Sequence, residues 1–67
     1  MTLFEIGEKI RARRRELHLT QEKLAELAGV SVETIGTIEN GNKAPRLDTL
    51  ELVAGALGFE IRMVRIG

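Results

Sequence analysis

Apolar residues recur at helical spacing along most of the chain. Leu3, Ile6, Ile10 and Leu17 fall three, four and seven positions apart, the repeat of one helix face. Ahead of them, Thr2-x-x-Glu5 has the form of a capping box, in which hydroxyl and carboxylate each satisfy one orphan amide at a helix start. A first helix is therefore predicted to about Leu17. Thr20 is a good N-cap for a second helix, Gln21 through Ala28, with Leu24, Leu27 and Ala28 on its apolar side and Gly29 as its stop. Ser31 caps a short third helix, residues 32–40, marked by Ile35 and Ile38 and ended at Asn40-Gly41. Residues 42–46, Asn-Lys-Ala-Pro-Arg, read as a loop. Leu47, Leu50, Val53, Ala54 and Leu57 then predict a fourth helix closed by Gly58.

After Gly58 the period changes. Phe59, Ile61 and Met63 alternate with Glu60 and Arg62, as in a half-buried strand. Alternation breaks at Val64 and resumes out of phase at Ile66, which fits a bulge or burial on both faces. One strand cannot satisfy its own backbone, and no second strand is legible. The pattern predicts that this segment pairs with a copy of itself from another chain, making a homodimer. The plainer alternatives are a frayed tail or a fifth short helix. The chain thus divides into a helical domain, 1–58, and a dimerisation strand, 59–67.

Sixty-seven residues allow one small domain, which buries only about 60% of the surface its unfolded form exposes. There is no cysteine and one histidine, His18, so disulfides, thiolate metal sites and a His-rich metal site are out, and tight helical packing or oligomerisation must stabilise the core. Apolar content of 43% and charged content of 30% describe a folded domain rather than a disordered tail. No apolar run approaches the roughly 18 residues of a membrane span, and Glu5 and Glu8 interrupt any signal-peptide layout, so the expectation is a cytoplasmic protein with no membrane role. Nor is an enzyme expected: no nucleophile-base pair, Gly-rich phosphate loop or metal-ligand cluster is present, and no cofactor is called for. Ten basic and ten acidic side chains cancel. Their distribution is more telling: Arg11, Arg13, Arg14 and Arg15 cluster, while residues 24–41 carry only acids.

Two short helices separated by Ala28-Gly29-Val30-Ser31 have the layout of a helix-turn-helix, with Val30 placed to plug the gap between them. The run Leu19-Thr20-Gln21-Glu22-Lys23-Leu24-Ala25, Gly29-Val30-Ser31, Ile35, Ile38-Glu39-Asn40-Gly41, Pro45, Leu50 and Leu57-Gly58 resembles the Cro/C1-type helix-turn-helix family over about residues 3–58. The end after Leu57-Gly58 is similar to the HipB and HigA kind of antitoxin regulators, in whose HipB-like members a C-terminal strand joins its dimer mate. The resemblance implies an all-α, four-helix, lambda-repressor-like domain with one C-terminal β-strand paired across a homodimer. It also implies a sequence-specific transcription regulator, most simply a repressor on a palindromic operator. Double-stranded DNA is the implied partner, with a toxin protein as a weaker candidate. The reading from another class is a protein-bridging module on the same fold, which a neutral net charge keeps open.

At about 100° per residue, Glu33, Gly36, Thr37 and Asn40 share the stripe opposite Ile35 and Ile38, with Val32 at its edge. By the resemblance, Val32, Glu33 and Thr37 fall at base-reading positions in the major groove, and Gly36 lets the backbone approach DNA closely. The bland alternative is an ordinary solvated helix face. The stripe holds no Arg, Lys or Gln, so affinity must lean on phosphate contacts. The resemblance places these at Gln21, Asn40, Asn42 and Lys43, with the Ser31-capped helix start adding amide donors and Lys23 and Arg46 as further candidates. Arg14 lies about 40° around its helix from Ile10, and Glu39 about 40° from Ile35. The family pattern pairs these positions, so a structural ion pair between Arg14 and Glu39 is expected, locking the first helix to the third. Arg11 and Arg15 point well away from Ile10 and are expected to be solvated or loosely paired with neighbours such as Glu8 and Glu16 rather than to act as phosphate clamps. His18 is expected to cap the first helix in a left-handed conformation, and Gly7 to mark a close packing contact.

Overall fold

Thr2 opens the fold with both halves of the capping box: its Oγ1 accepts from the Glu5 amide at 3.1 Å, and its own amide donates to Glu5 Oε1 at 2.9 Å. In this computed structural model, which describes residues 1–67, four helices follow: α1 (Leu3–Glu16), α2 (Gln21–Ala28), α3 (Val32–Asn40) and α4 (Leu47–Ala56). α2 and α3 begin as their hydroxyl caps predict, with Thr20 accepting from Lys23 N at 3.0 Å and Ser31 from Thr34 N at 3.1 Å. α1 ends through His18, whose φ of 56° is left-handed and strained for a side chain.

One core joins the helices. Ile10, Leu24, Ala25, Ala28, Ile35, Ile38, Val53 and Leu57 are buried together, with Ile6, Leu19, Val30, Leu50 and Ala56 packed against them. α1 lies on α3, and α2 lies on both α3 and α4. Val30 takes its place in the turn between α2 and α3 as expected. Leu27 and Leu47 do not join this core and are 54% and 63% exposed, and Leu3 and Leu17 at the two ends of α1 also stay outside it, more than a third exposed. The buried stripe of α2 runs through Leu24, Ala25 and Ala28, and Leu27 sits roughly 105° from its centre. Leu47 is the first residue of α4, a full turn before the half-buried Leu50, and nothing covers it.

Gly41 ends α3 with φ 67°, and a side chain there would meet the Phe4 backbone at 2.8 Å. Positive φ and close approach together leave glycine as the residue that fits. Beyond α4, the Phe59 amide donates to Ala54 O at 2.8 Å.

The predicted strand over 59–67 does not form. Residues 60–67 make no main-chain hydrogen bond and carry no secondary structure. The reason is the one that pointed to a partner: a strand exists only beside another, and a single chain offers none. Phe59 and Ile61, each 40% exposed, wall one side of an open groove of about 430 Å³ opposite Ile6, Ile10, Leu50 and Ala54, while Met63, Val64 and Ile66 are almost wholly exposed. No helix is long and apolar enough to cross a membrane.

Candidate nucleic-acid interface

The placement of α3 follows from its own sequence. Ile35 and Ile38, three apart, are buried, which forces the opposite side of a helix outward. Val32, Glu33, Thr37 and Asn40 are exposed and Gly36 is half-buried on that side. A Cβ added at Gly36 would meet nothing within 4 Å. Thr37 also borders a hollow of about 240 Å³ with Thr34, Lys43 and Pro45, so the loop after α3 brings an ammonium to the edge of the stripe.

The remaining sequence-predicted residues sort by what they already hold. Ser31 spends its hydroxyl on α3, bonding Thr34 N and lying 2.8 Å from Thr34 Oγ1. Lys23 reaches Glu26 at 3.4 Å, and Arg46 reaches Asp48 at 3.3 Å. Both pairs are exposed, so solvent and salt weaken them and either cation is readily released to another anion. Asn42 and Lys43 are exposed in the loop. Gln21, half-buried at the first turn of α2, donates through Nε2 to Glu39 Oε1 at 3.1 Å.

Glu39 is the centre of the arrangement. Its side chain is fully buried, and Arg14 grips it with Nε on Oε2 at 2.7 Å and Nη2 on Oε1 at 3.1 Å. Burial alone pushes this carboxyl up, but the hydrogen bonds from Arg14 and Gln21, the Arg14 charge and the bond from Arg11 outweigh it and hold it below the usual 4.5. Arg14 Nη1 also donates to the Leu19 carbonyl at 2.8 Å, so one guanidinium ties α1, the entry to α2 and the end of α3 together.

Arg11 corrects the sequence reading. It is only partly solvated and pairs with α3 rather than with its own helix: Nε reaches Glu39 Oε1 at 3.3 Å and Nη2 reaches Asn40 Oδ1 at 3.4 Å. The signal was present at Gly7. A Cβ there would meet the Glu39 carbonyl oxygen at 2.7 Å, so the Gly7 side of α1 is the side that faces α3. Arg11 and Arg14 lie only about 40° and 20° from that line, whereas measuring from Ile10 hid Arg11. Arg13 serves α4 instead, donating to the Leu57 carbonyl at 3.0 Å, a favourable place for a cation. Arg15 is exposed.

Phe59, Ile61, Met63, Val64 and Ile66 are not part of this surface. The groove that Phe59 and Ile61 help to wall is otherwise lined mainly from α1 and α4, with no residue of α3. No group of three or more His, Cys, Asp or Glu side chains converges to hold a metal.

The model of the helix-turn-helix family matches residues 10–64. The chain is 44% identical over 59 residues to the immunity repressor protein of Bacillus phage phi105, an alignment covering 88% of this chain and 41% of the repressor. It is 49% identical over 51 residues to an HTH-type transcriptional regulator of Methanothermobacter thermautotrophicus, covering 76% of this chain and 74% of that protein. It is 39% identical over 53 residues to the HTH-type regulator YazB of Bacillus subtilis, covering 79% and 77%. The chain therefore spans less than half the length of the phage repressor but about three quarters of the other two. A buried Arg14–Glu39 lock, a hydroxyl-capped α2 and α3 with Val30 between them, and these matches place the chain in the Cro/C1-type helix-turn-helix family of DNA-binding transcription regulators.

Proposed function

We propose that this chain is the operator-reading part of a repressor and that it works as a homodimer. The observation that carries the reading is the outward stripe of α3, held against α1 through Glu39 and flanked by Gln21, Asn40 and Lys43. α3 enters the major groove. There Glu33 accepts from a cytosine amino group, Val32 meets a thymine methyl and Thr37 bonds either kind of base edge. Gly36 keeps the helix surface low enough for close approach. Gln21, Asn40, Asn42 and Lys43, with the amide donors at the Ser31-capped start of α3, bind phosphates on either side; Lys23 and Arg46 join them when their exposed carboxylate partners let go. Repression by occupying the operator is in keeping with the name of the phage relative.

The dimer rests on the tail. Residues 60–67 have main-chain donors and acceptors with no main-chain partner, and Met63, Val64 and Ile66 present apolar side chains to solvent. Pairing 59–67 with its copy as a two-stranded antiparallel ribbon satisfies both, and a two-fold axis through that ribbon sets two α3 helices on a near-palindromic site.

Base readout and phosphate binding separate by substitution. Glu33→Ala and Thr37→Ala should each change which duplex sequences bind, whereas Gln21→Ala should weaken all sequences alike. Equal losses on every sequence from all three variants would remove base reading by α3.

A further inference from the structure

The reading stripe of α3 carries a carboxylate and no cation, so phosphate binding near it needs positive charge from another element. We infer that Arg11, together with Asn40, forms a clamp for one DNA backbone phosphate at the C-terminal end of α3. This assignment rests on the DNA-reading function proposed above.

Three observations lead there. The first is that Glu39 does not need Arg11. Arg14 satisfies the carboxylate through both oxygens, Gln21 adds a third bond at 3.1 Å, and Arg11 Nε arrives on the already doubly occupied Oε1 at 3.3 Å, the longest of the four. A carboxylate oxygen has about two lone-pair sites, so Arg11 is the donor in excess. The second is charge. Two guanidinium groups share one carboxylate, and no other acid lies within 4.0 Å of Arg11. Glu22 adds negative charge on the Arg14 side only, so the positive charge left over sits at Arg11, where an external anion would neutralise it.

The third is placement. The Arg11 side chain is 37% exposed against 11% for Arg14, and its Nη2 lies on Oδ1 of exposed Asn40, the last residue of α3. Of the five N–H donors of a guanidinium, one on Nε and one on Nη2 are used, which leaves both on Nη1 and the second on Nη2 for an incoming oxygen. The same bond fixes the Asn40 amide, since an Oδ1 that accepts from Arg11 leaves Nδ2 as the free donor. Planar guanidinium and amide donors side by side suit a phosphate.

The test is the salt dependence of binding to a mixed-sequence DNA duplex by the wild-type chain, R11Q, R11K and, as a control for bulk charge, R15Q. Each phosphate neutralised contributes about −0.9 to the slope of log K against log salt. R11Q should flatten the slope by about 0.9 for each protomer bound, R11K should keep it near wild type, and R15Q should leave it unchanged. R11Q should also keep the wild-type helical circular dichroism spectrum, because Arg11 is surplus to Glu39. An R11Q that folds and binds with the wild-type slope overturns the assignment, and so does an R11Q that unfolds, since Arg11 would then be structural. A wild-type chain that binds no duplex at any salt overturns the DNA-reading function itself and this assignment with it.

Discussion

Arg14 holds Glu39 by two bonds, one to each carboxylate oxygen, of 2.7 and 3.1 Å across 25 residues of chain. The carboxylate end of this pair has no exposed surface and the guanidinium end has very little, so water screens it poorly and neither partner tolerates loss of the other. Because Glu39 is the last residue but one of α3, the pair decides how α3 sits on α1. The external stripe of α3 inherits its position from this contact.

Removing the acid strands a buried guanidinium, which commonly costs about 3–5 kcal/mol. For a domain this small that approaches total stability, at roughly 0.05–0.15 kcal/mol per residue. Glu39→Ala should therefore be largely unfolded by circular dichroism at room temperature. Glu39→Gln, which keeps an acceptor for Arg14, should fold with a lowered urea midpoint. An alanine variant with a wild-type midpoint would show that the pair does not hold α3.

Acid should weaken the fold through the same group. The folded-state value of Glu39 lies below 4.5, so its contribution is fully present above about pH 4.5 and is lost as pH falls through the lower, folded value. Urea midpoints measured from pH 6 downward should drop below about pH 4.5 in the wild type, and more shallowly in Glu39→Gln, which has no such proton to take up. Parallel pH curves for the two proteins would contradict this assignment.

Two glycines should respond in opposite ways. A Cβ at Gly7 would collide with the backbone carbonyl of Glu39, whereas one at Gly36 meets nothing within 4 Å. Gly7→Ala should destabilise by at least about 1–3 kcal/mol, the usual cost of overpacking. Gly36→Ala should stabilise by about 1 kcal/mol through helix propensity, raising Tm by about 4–8 °C. If Gly36 serves close approach to DNA, the more stable variant should nonetheless bind duplex less well. Thermal scans and duplex titration of the same samples check both halves.

Deleting residues 59–67 should convert a dimer into a monomer in sedimentation equilibrium while helicity persists, because the buried core ends at Leu57. An unchanged mass would move the dimer interface elsewhere.

Helix positions were legible because their signals are local: Thr2, Thr20 and Ser31 each satisfy an amide three residues on, and no distant contact is needed to see it. Leu27 and Leu47 were misread because apolar identity does not say which side of a helix will be covered, and at those two positions nothing covers it. The Arg14–Glu39 pair was reached by family resemblance together with helix angles. Arg11 was missed because its angle was measured from the core rather than from Gly7, the residue that marks the face α1 turns to α3. The tail differs for another reason: alternating apolar residues mark a strand only where a second strand stands beside them, and this chain holds none.

Operator reading by α3 in a two-fold dimer has a direct consequence for the DNA the protein selects. The most direct test is to expose the purified protein to a randomised duplex library at about 0.15 M salt, where screening resembles that in cells, and to sequence what it retains. An enriched pseudo-palindrome is expected, with half-site centres about 10–10.5 bp, or a multiple of that, apart. A folded protein that retains no preferred sequence would contradict it.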